Sequence, residues 1–364
     1  MWGMIAAAQT LSPLTTFGGG DGWLAPGEGG YAYLGTGNNE RGLGYGNGHL
    51  YLVSHANVGG TTANVRILDP LTGVDLGGLN NSGISGGTFT VNTIGVGGDG
   101  AIYVNNLTVQ STTSPFKVYQ WATEGSAPVL AYSGNGGLAG ARVGDTLAAF
   151  GSGASTVLAA GYNSSPSVTG NNGYAIINPS AASGTAIGFS GTPPNAGDFR
   201  LGLTFSDSSH VLGTAGSSLY RYTSFSGSSG TLLASPAIPD PAGATADRLL
   251  SYDIVNGHAL LAVQSIGDSH VSIYDVSDPS NPVWLASGNN TSGTLTANAN
   301  GTGELAWGPT TVNPDGTATA DLYCMSSNQG IQAFIVTVPE PGAVVLLMLG
   351  FGALMTWRRV RQSA

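Results

Sequence analysis

The chain has 364 residues, 59 of them glycine, with 41% hydrophobic and only 8% charged side chains, so it can build one large domain or two and has ample core material. Its formal net charge of −10 makes it a poor binder of nucleic acid, and its single cysteine excludes an internal disulfide. Few charges with much Gly, Ser, Thr and Asn suit an exported all-β protein held by packing.

From the start, MWGMIAAAQT lacks the positive region and most of the apolar stretch of a signal peptide, yet Ala6-Ala7-Ala8 before Gln9 reads like the end of one. That points to a start placed too late; a frayed terminus is the equal alternative. Residues 1–16 are therefore expected as signal remnant and linker, 17–337 as the folded ectodomain, and 338–364 as a separate tail.

Between Thr10 and Thr337 no helical period is sustained. A short apolar run, a turn and a second run recur instead. The first runs are HLYLVS, AIYVNN, TVLAAG, HVLGTA, ALLAVQ and DLYCMS, spaced by 52, 55, 54, 49 and 62 residues. Second runs such as VRILDP, FKVYQW and HVSIYDV alternate apolar and polar, as strands with one buried face do. Asn47-Gly48, Asp99-Gly100 and Asn256-Gly257 precede first runs and suit tight hairpins. Six strand-only copies at this interval predict an all-β propeller of six four-stranded blades, with a seventh, degenerate blade as the alternative. The segment Phe17 to Gly35 is left to close the ring by donating an outer strand.

Candidate chemistry is sparse. Gly83-Ile84-Ser85-Gly86-Gly87 fits the G-x-S-x-G nucleophile pattern, but without a strand-to-helix context it reads as chance in a chain this rich in glycine and serine. His49, His210 and His258 head first runs and His270 heads a second; convergence on a metal is one reading, and capping a strand is the commoner one. Asp275 and Asp278 are expected to bond their own turn backbone. Cys324, in LYCM, reads as a buried structural thiol. No catalytic set, cofactor or metal is implied, although paired carboxylates converging from different blades leave no local signature. Four of the six arginines upstream of the tail, Arg41, Arg142, Arg200 and Arg248, each open the strand before a first run. Ring symmetry would aim them at one channel. They either bond neighbouring blades or bind an anion.

Two resemblances follow from these residues. HVSIYDVSDPSNPVWLASG, from His270 to Gly288, resembles the LVIVD repeat of bacterial propellers over one blade. RGLGYGNGHLYLVS, ILDPLTGVDLGGLN, DGAIYVNNL, FKVYQW and GDTLAAFGSG together resemble an uncharacterised family of exported bacterial propeller-like domains, which implies a fold and no activity.

The tail is organised in three parts. Pro339-Glu340-Pro341 bars regular structure, Gly342 to Trp357 carries no charge, and Arg358, Arg359 and Arg361 follow. An apolar helix spans a bilayer with about 20 residues, so counted from Val338 this one just reaches, and the arginines would stay cytoplasmic. The tail resembles the PEP-CTERM sorting signal of Gram-negative bacteria. That resemblance implies an exosortase as processing partner, an inner-membrane anchor before cleavage, and release to the envelope or beyond. Without the tail the chain holds 19 acidic and 7 basic residues, net −12. The expected function is non-catalytic binding of polysaccharide or a partner protein; the alternative is a polysaccharide hydrolase or lyase.

Overall fold

The structure, a computed structural model, describes residues 9–163, 172–191, 194–215, 219–238 and 247–340. Two short strands come first, β1 (Thr10–Pro13) and β2 (Trp23–Leu24), followed by a repeated unit in which each strand hairpins onto the next. The first unit is β3 (Glu40–Gly46), β4 (His49–Ser54), β5 (Asn64–Leu68) and β6 (Asp75–Gly78). The second is β7 (Phe89–Val96), β8 (Ile102–Leu107), β9 (Phe116–Trp121) and β10 (Val129–Gly134). Then come β11 (Ala148–Phe150), β12 (Val157–Gly161), β13 (Tyr174–Asn178) and β14 (Ser183–Phe189). The fourth unit is β15 (Leu203–Asp207), β16 (His210–Ala215), β17 (Leu219–Ser226) and β18 (Ser229–Ala234). The fifth is β19 (Asp247–Val255), β20 (His258–Ser265), β21 (Val271–Asp275) and β22 (Val283–Gly288). The last, β23 (Gly303–Val312), β24 (Ala318–Ser326) and β25 (Gly330–Val338), has three strands of its own.

Turn chemistry sets these hairpins. Asn47 and Gly48 take φ of 53° and 77°, and Asn256 and Gly257 take 51° and 79°. Two successive positive values give the turn whose twist matches the paired strands. The expected first runs are the second strands of the units and the expected second runs are the third strands, both largely buried.

The last unit borrows its outer strand from the start of the chain: β1 pairs antiparallel with β25, from Thr10 opposite Thr337 to Pro13 opposite Phe334. β2 adds Trp23 and Leu24 opposite Gln332 and Ile331. The segment Phe17 to Gly35, expected to supply the outer edge, thus adds only the two residues of β2; the edge is supplied mainly by β1, which lies before that segment in residues read as a linker. Those residues have few apolar side chains to betray a strand, and backbone pairing to an open edge needs none.

The fold is all-β and propeller-like. It differs from six separate sheets: four sheets stand apart, and β11 to β18 form one sheet of eight strands. The join is a short parallel bridge between outer strands, Gly188 and Phe189 against Ser229 and Gly230. The end strands of this sheet, β11 and β15, also lie side by side, so it nearly closes on itself.

The core lies between faces. Tyr51, Val53 and Val65 of the first unit pack on Val91, Ile102, Val104 and Trp121 of the second. Leu43, Leu50 and Leu52 pack on Tyr323, Met325 and Ile331, so the last unit closes on the first. Cys324 is buried in the cluster between the fifth and last units, and burial pushes its thiol well up, as expected for a structural residue. Each such fully buried apolar side chain contributes about 1.5–3 kcal/mol.

Candidate functional site

The first strands of the units touch in the order β3, β7, β11, β15, β19, β23 and back to β3, forming a central channel. Each pairs with its unit on one edge only, so its other edge is free of strand pairing and faces the channel. The residues at the starts of these strands gather at one end of the ring.

Two of the four arginines meet there on Asp145, a residue not among the expected candidates. Asp145 receives Arg142 through Nε (2.7 Å) and Nη2 (2.7 Å), and Arg200 through Nε (2.9 Å). The Asp145 side chain is fully buried, whereas those of Arg142 and Arg200 keep 21% and 27% exposure, so both arginine side chains touch solvent while their shared carboxylate does not. Burial pushes the Asp145 carboxyl up, but the two arginines outweigh it and hold it below the ordinary range. The signal was present in RVGDT, where Arg and Asp stand three apart.

Arg41 lies beside this pair and is almost completely buried. Its Nε donates to Asn92 Oδ1 (3.0 Å) and its Nη1 to Thr302 Oγ1 (2.9 Å), and the guanidinium stacks 4.9 Å over Phe89. Burial lowers it to about 10, with Arg142 and Arg200 adding to the effect and Asp145 opposing it. Arg248 sits at the same end: a Cβ on Gly301, beside Thr302, would stand 2.9 Å from its Nη1. Its buried Nε has no hydrogen-bond partner among the described residues. Arg41 and Arg248 are on inner strands as expected, while Arg142 and Arg200 occupy the loops before β11 and β15.

At the other end the channel widens to a cavity of about 570 Å³. Tyr45, Phe150, Phe205, Tyr252 and Trp307 line it, together with two acids, Asp253 and Glu304. Trp307 Nε1 donates to the Ser251 carbonyl (3.3 Å), tying β23 to β19. Glu304 is set deep in the ring, where its Oε2 accepts the backbone N–H of Leu43 (2.9 Å) and Ile94 (3.3 Å). Part of its surface still borders the cavity. Burial pushes the Glu304 carboxyl well up against the pull of these amides. Burial also raises Asp253, which accepts the N–H of Ile254 (2.8 Å). Among the described residues no basic side chain lines this cavity. Glycine keeps the passage narrow: a Cβ on Gly95 would meet that of Ala149 at 2.8 Å.

The remaining candidates have local roles. His49 Nδ1 lies 2.7 Å from Glu124 Oε1, which also accepts from Tyr51 Oη (2.6 Å), and His210 Nδ1 lies 2.8 Å from Asp207 Oδ2. Nε2 of His258 and of His270 is buried without a hydrogen-bond partner among the described residues. No group of three His, Cys, Asp or Glu among the described residues is placed to hold a metal. Ser85 sits in a loop clamped by Tyr119 Oη and Lys117 Nζ through its backbone carbonyl, not on a nucleophile elbow. Asp275 and Asp278 accept the N–H of Ser277 (2.7 Å) and Ser280 (3.0 Å), the expected turn bonds. Pro339 follows β25, with its carbonyl accepting Asn256 Nδ2 (3.0 Å), and Glu340 comes next. Pro341, Gly342 to Trp357, Arg358, Arg359 and Arg361 lie outside the described residues, among which no helix is long and apolar enough to cross a membrane.

These features define a propeller-like all-β protein. Its sequence matches no protein-family model and, at the level searched, no curated protein. Among solved structures it is similar to a DUF4623 family protein from Bacteroides eggerthii, at TM-score 0.60 and 16% identity, over 92% of this chain and 76% of that one. It is also similar to AofleA from Arthrobotrys oligospora, at TM-score 0.50 and 13% identity, over 89% and 90%. At such identities the likeness is one of fold.

Proposed function

We propose that this is an exported, non-catalytic propeller that binds an acidic polysaccharide, or a carboxylate of a partner protein, at its arginine end. The observation that carries the reading is the pair Arg142 and Arg200 on one buried carboxylate, with both arginine side chains partly exposed. Guanidinium forks suit carboxylates and sulfates, and sites of this kind weaken with salt. The eight-stranded sheet is counted here as two blades, which gives a ring of six; the adjacency of β11 and β15 supports that count.

The PEP-CTERM-like tail supplies the address in this proposal. An exosortase-type enzyme cleaves near Pro339-Glu340-Pro341, frees the protein from the inner membrane and delivers it to the envelope or beyond. Intact mass of the exported form tests this: a mature protein that retains Arg358, Arg359 and Arg361 overturns it.

Binding is tested with Arg142→Gln plus Arg200→Gln against acidic polysaccharide, with Lys117→Gln as a charge control away from the site. Loss of binding in the double variant alone, with salt-sensitive binding by the unmodified protein, supports the reading. Equal binding by all forms makes the arginines structural. The hydrolase or lyase reading rests on Asp253 and Glu304 sharing one cavity, and a product assay on the same sugars decides it.

A further inference from the structure

The cavity at the end opposite the arginines has a different chemistry, and we infer that it is a second site, which takes a hexose ring and prefers one bearing an amine. Three observations converge on this. The volume of about 570 Å³ falls within the range of roughly 300–1,000 Å³ typical of small-molecule sites. The walls combine aromatic faces, Tyr252 and Trp307 among them, with the unpaired edges of the inner strands. Such edges offer backbone N–H and C=O groups at alternate residues. A pyranose presents the complement: C–H faces for the rings, and equatorial hydroxyls that both donate and accept.

Charge then selects among sugars. Asp253 and Glu304 are the acids of the lining, and among the described residues no Lys, Arg or His shares it. Glu304 already accepts the amides of Leu43 and Ile94, whereas Asp253, half-buried, accepts one N–H, that of Ile254. An ammonium beside Asp253 gains a charge-assisted bond, and a carboxylate in the same place is repelled. The preference therefore runs amino sugar, neutral hexose, hexuronate, the reverse of that at the arginine end. The occupant can be a free monosaccharide or the terminal unit of a chain, which share this chemistry.

The experiment is calorimetric titration of the full-length protein with glucosamine, glucose and glucuronate, and with short glucosamine oligomers. Glucosamine is expected to saturate the protein at least about tenfold more tightly than glucose, as one charge-assisted bond allows, with no binding of glucuronate in the cavity. Oligomers binding more tightly than the monomer assign a chain end; equal affinity assigns a free sugar. Asp253→Asn should bring glucosamine level with glucose, Trp307→Leu should weaken both, and Arg142→Gln should change neither. Absence of saturation by glucosamine overturns the inference, as does glucuronate binding that survives Arg142→Gln at glucosamine's affinity. Unchanged affinities in well-folded Asp253→Asn and Trp307→Leu proteins overturn it too. The order among the three sugars needs no variant, so a misfolded substitution leaves the test intact. Loss of acidic-polysaccharide binding by the arginine variants is a separate result and says nothing about this cavity.

Discussion

Asp145 and Glu304 are both carboxyls held inside the ring by groups from neighbouring units, and their surroundings drive them in opposite directions. At the arginine end two guanidiniums converge on Asp145 and keep it ionised against the cost of burial. In the channel Glu304 has backbone amides for company, and burial wins. A full positive charge compensates a buried carboxylate; two or three amide dipoles under the same burial do not. The same scaffold therefore presents a cationic rim at one end and an acidic, aromatic cavity at the other.

Removing the compensated carboxylate should break this contrast most severely. Asp145→Ala leaves Arg142 and Arg200 facing each other beside Arg41, and is expected to cost about 3–5 kcal/mol, as does stripping one partner from a buried ion pair. Thermal or urea unfolding measures it. Arg142→Gln in the same chain should recover part of the loss, because it removes one of the charges left uncompensated.

The pH dependence sharpens the comparison. A carboxyl raised by folding contributes stability that is complete below its ordinary value of 4.5 and is lost as pH rises through its folded value, which is the case for Glu304. Asp145 is the reverse: its contribution is present above its ordinary value of 3.8 and is lost as pH falls through its lowered one. Each pH unit of displacement is worth about 1.4 kcal/mol. Glu304→Gln should therefore flatten the fall in melting temperature above pH 4.5, while leaving the acid limb unchanged. A fall that persists in the variant assigns it to other groups.

The smallest effect is expected at a pair outside both ends. His49 and Glu124 meet at 2.7 Å with side-chain exposures of 33% and 28%. Glu124→Gln should cost no more than about 1 kcal/mol, as partly exposed pairs do. A larger loss in the melting curve would mean that Tyr51, which shares Glu124, depends on it for its packing.

Much of the fold was legible because the second strands of the units are largely buried and read as apolar runs, while the third strands alternate buried apolar with half-buried polar residues. AIYVNN became β8, buried throughout, and FKVYQW became β9. The outer strands were not legible: β10 exposes Val129 and Leu130, and β1 is four residues with little apolar content. The arginines could be found by their matching positions, and two of the four do converge on Asp145. Their pivot could not, because Arg200 reaches Asp145 from 55 residues away. Glu304 was a lone acid in NGTGELAWG, and its partners Leu43 and Ile94 are 261 and 210 residues distant in sequence. Side chains that answer to another unit's backbone leave no mark in their own neighbourhood.

The closure of the ring by β1 has a mechanical consequence. β25 is flanked by β24 along its whole length and by β1 and β2 on its other edge, and the chain leaves it at Val338. A force applied beyond Val338, along the strand, loads these ladders in shear. Bonds loaded in shear share the force and must fail together, whereas a hairpin pulled from its open end parts one bond at a time. The unit that joins the two ends of the chain is thus also the one best oriented to carry tension from its C-terminal side.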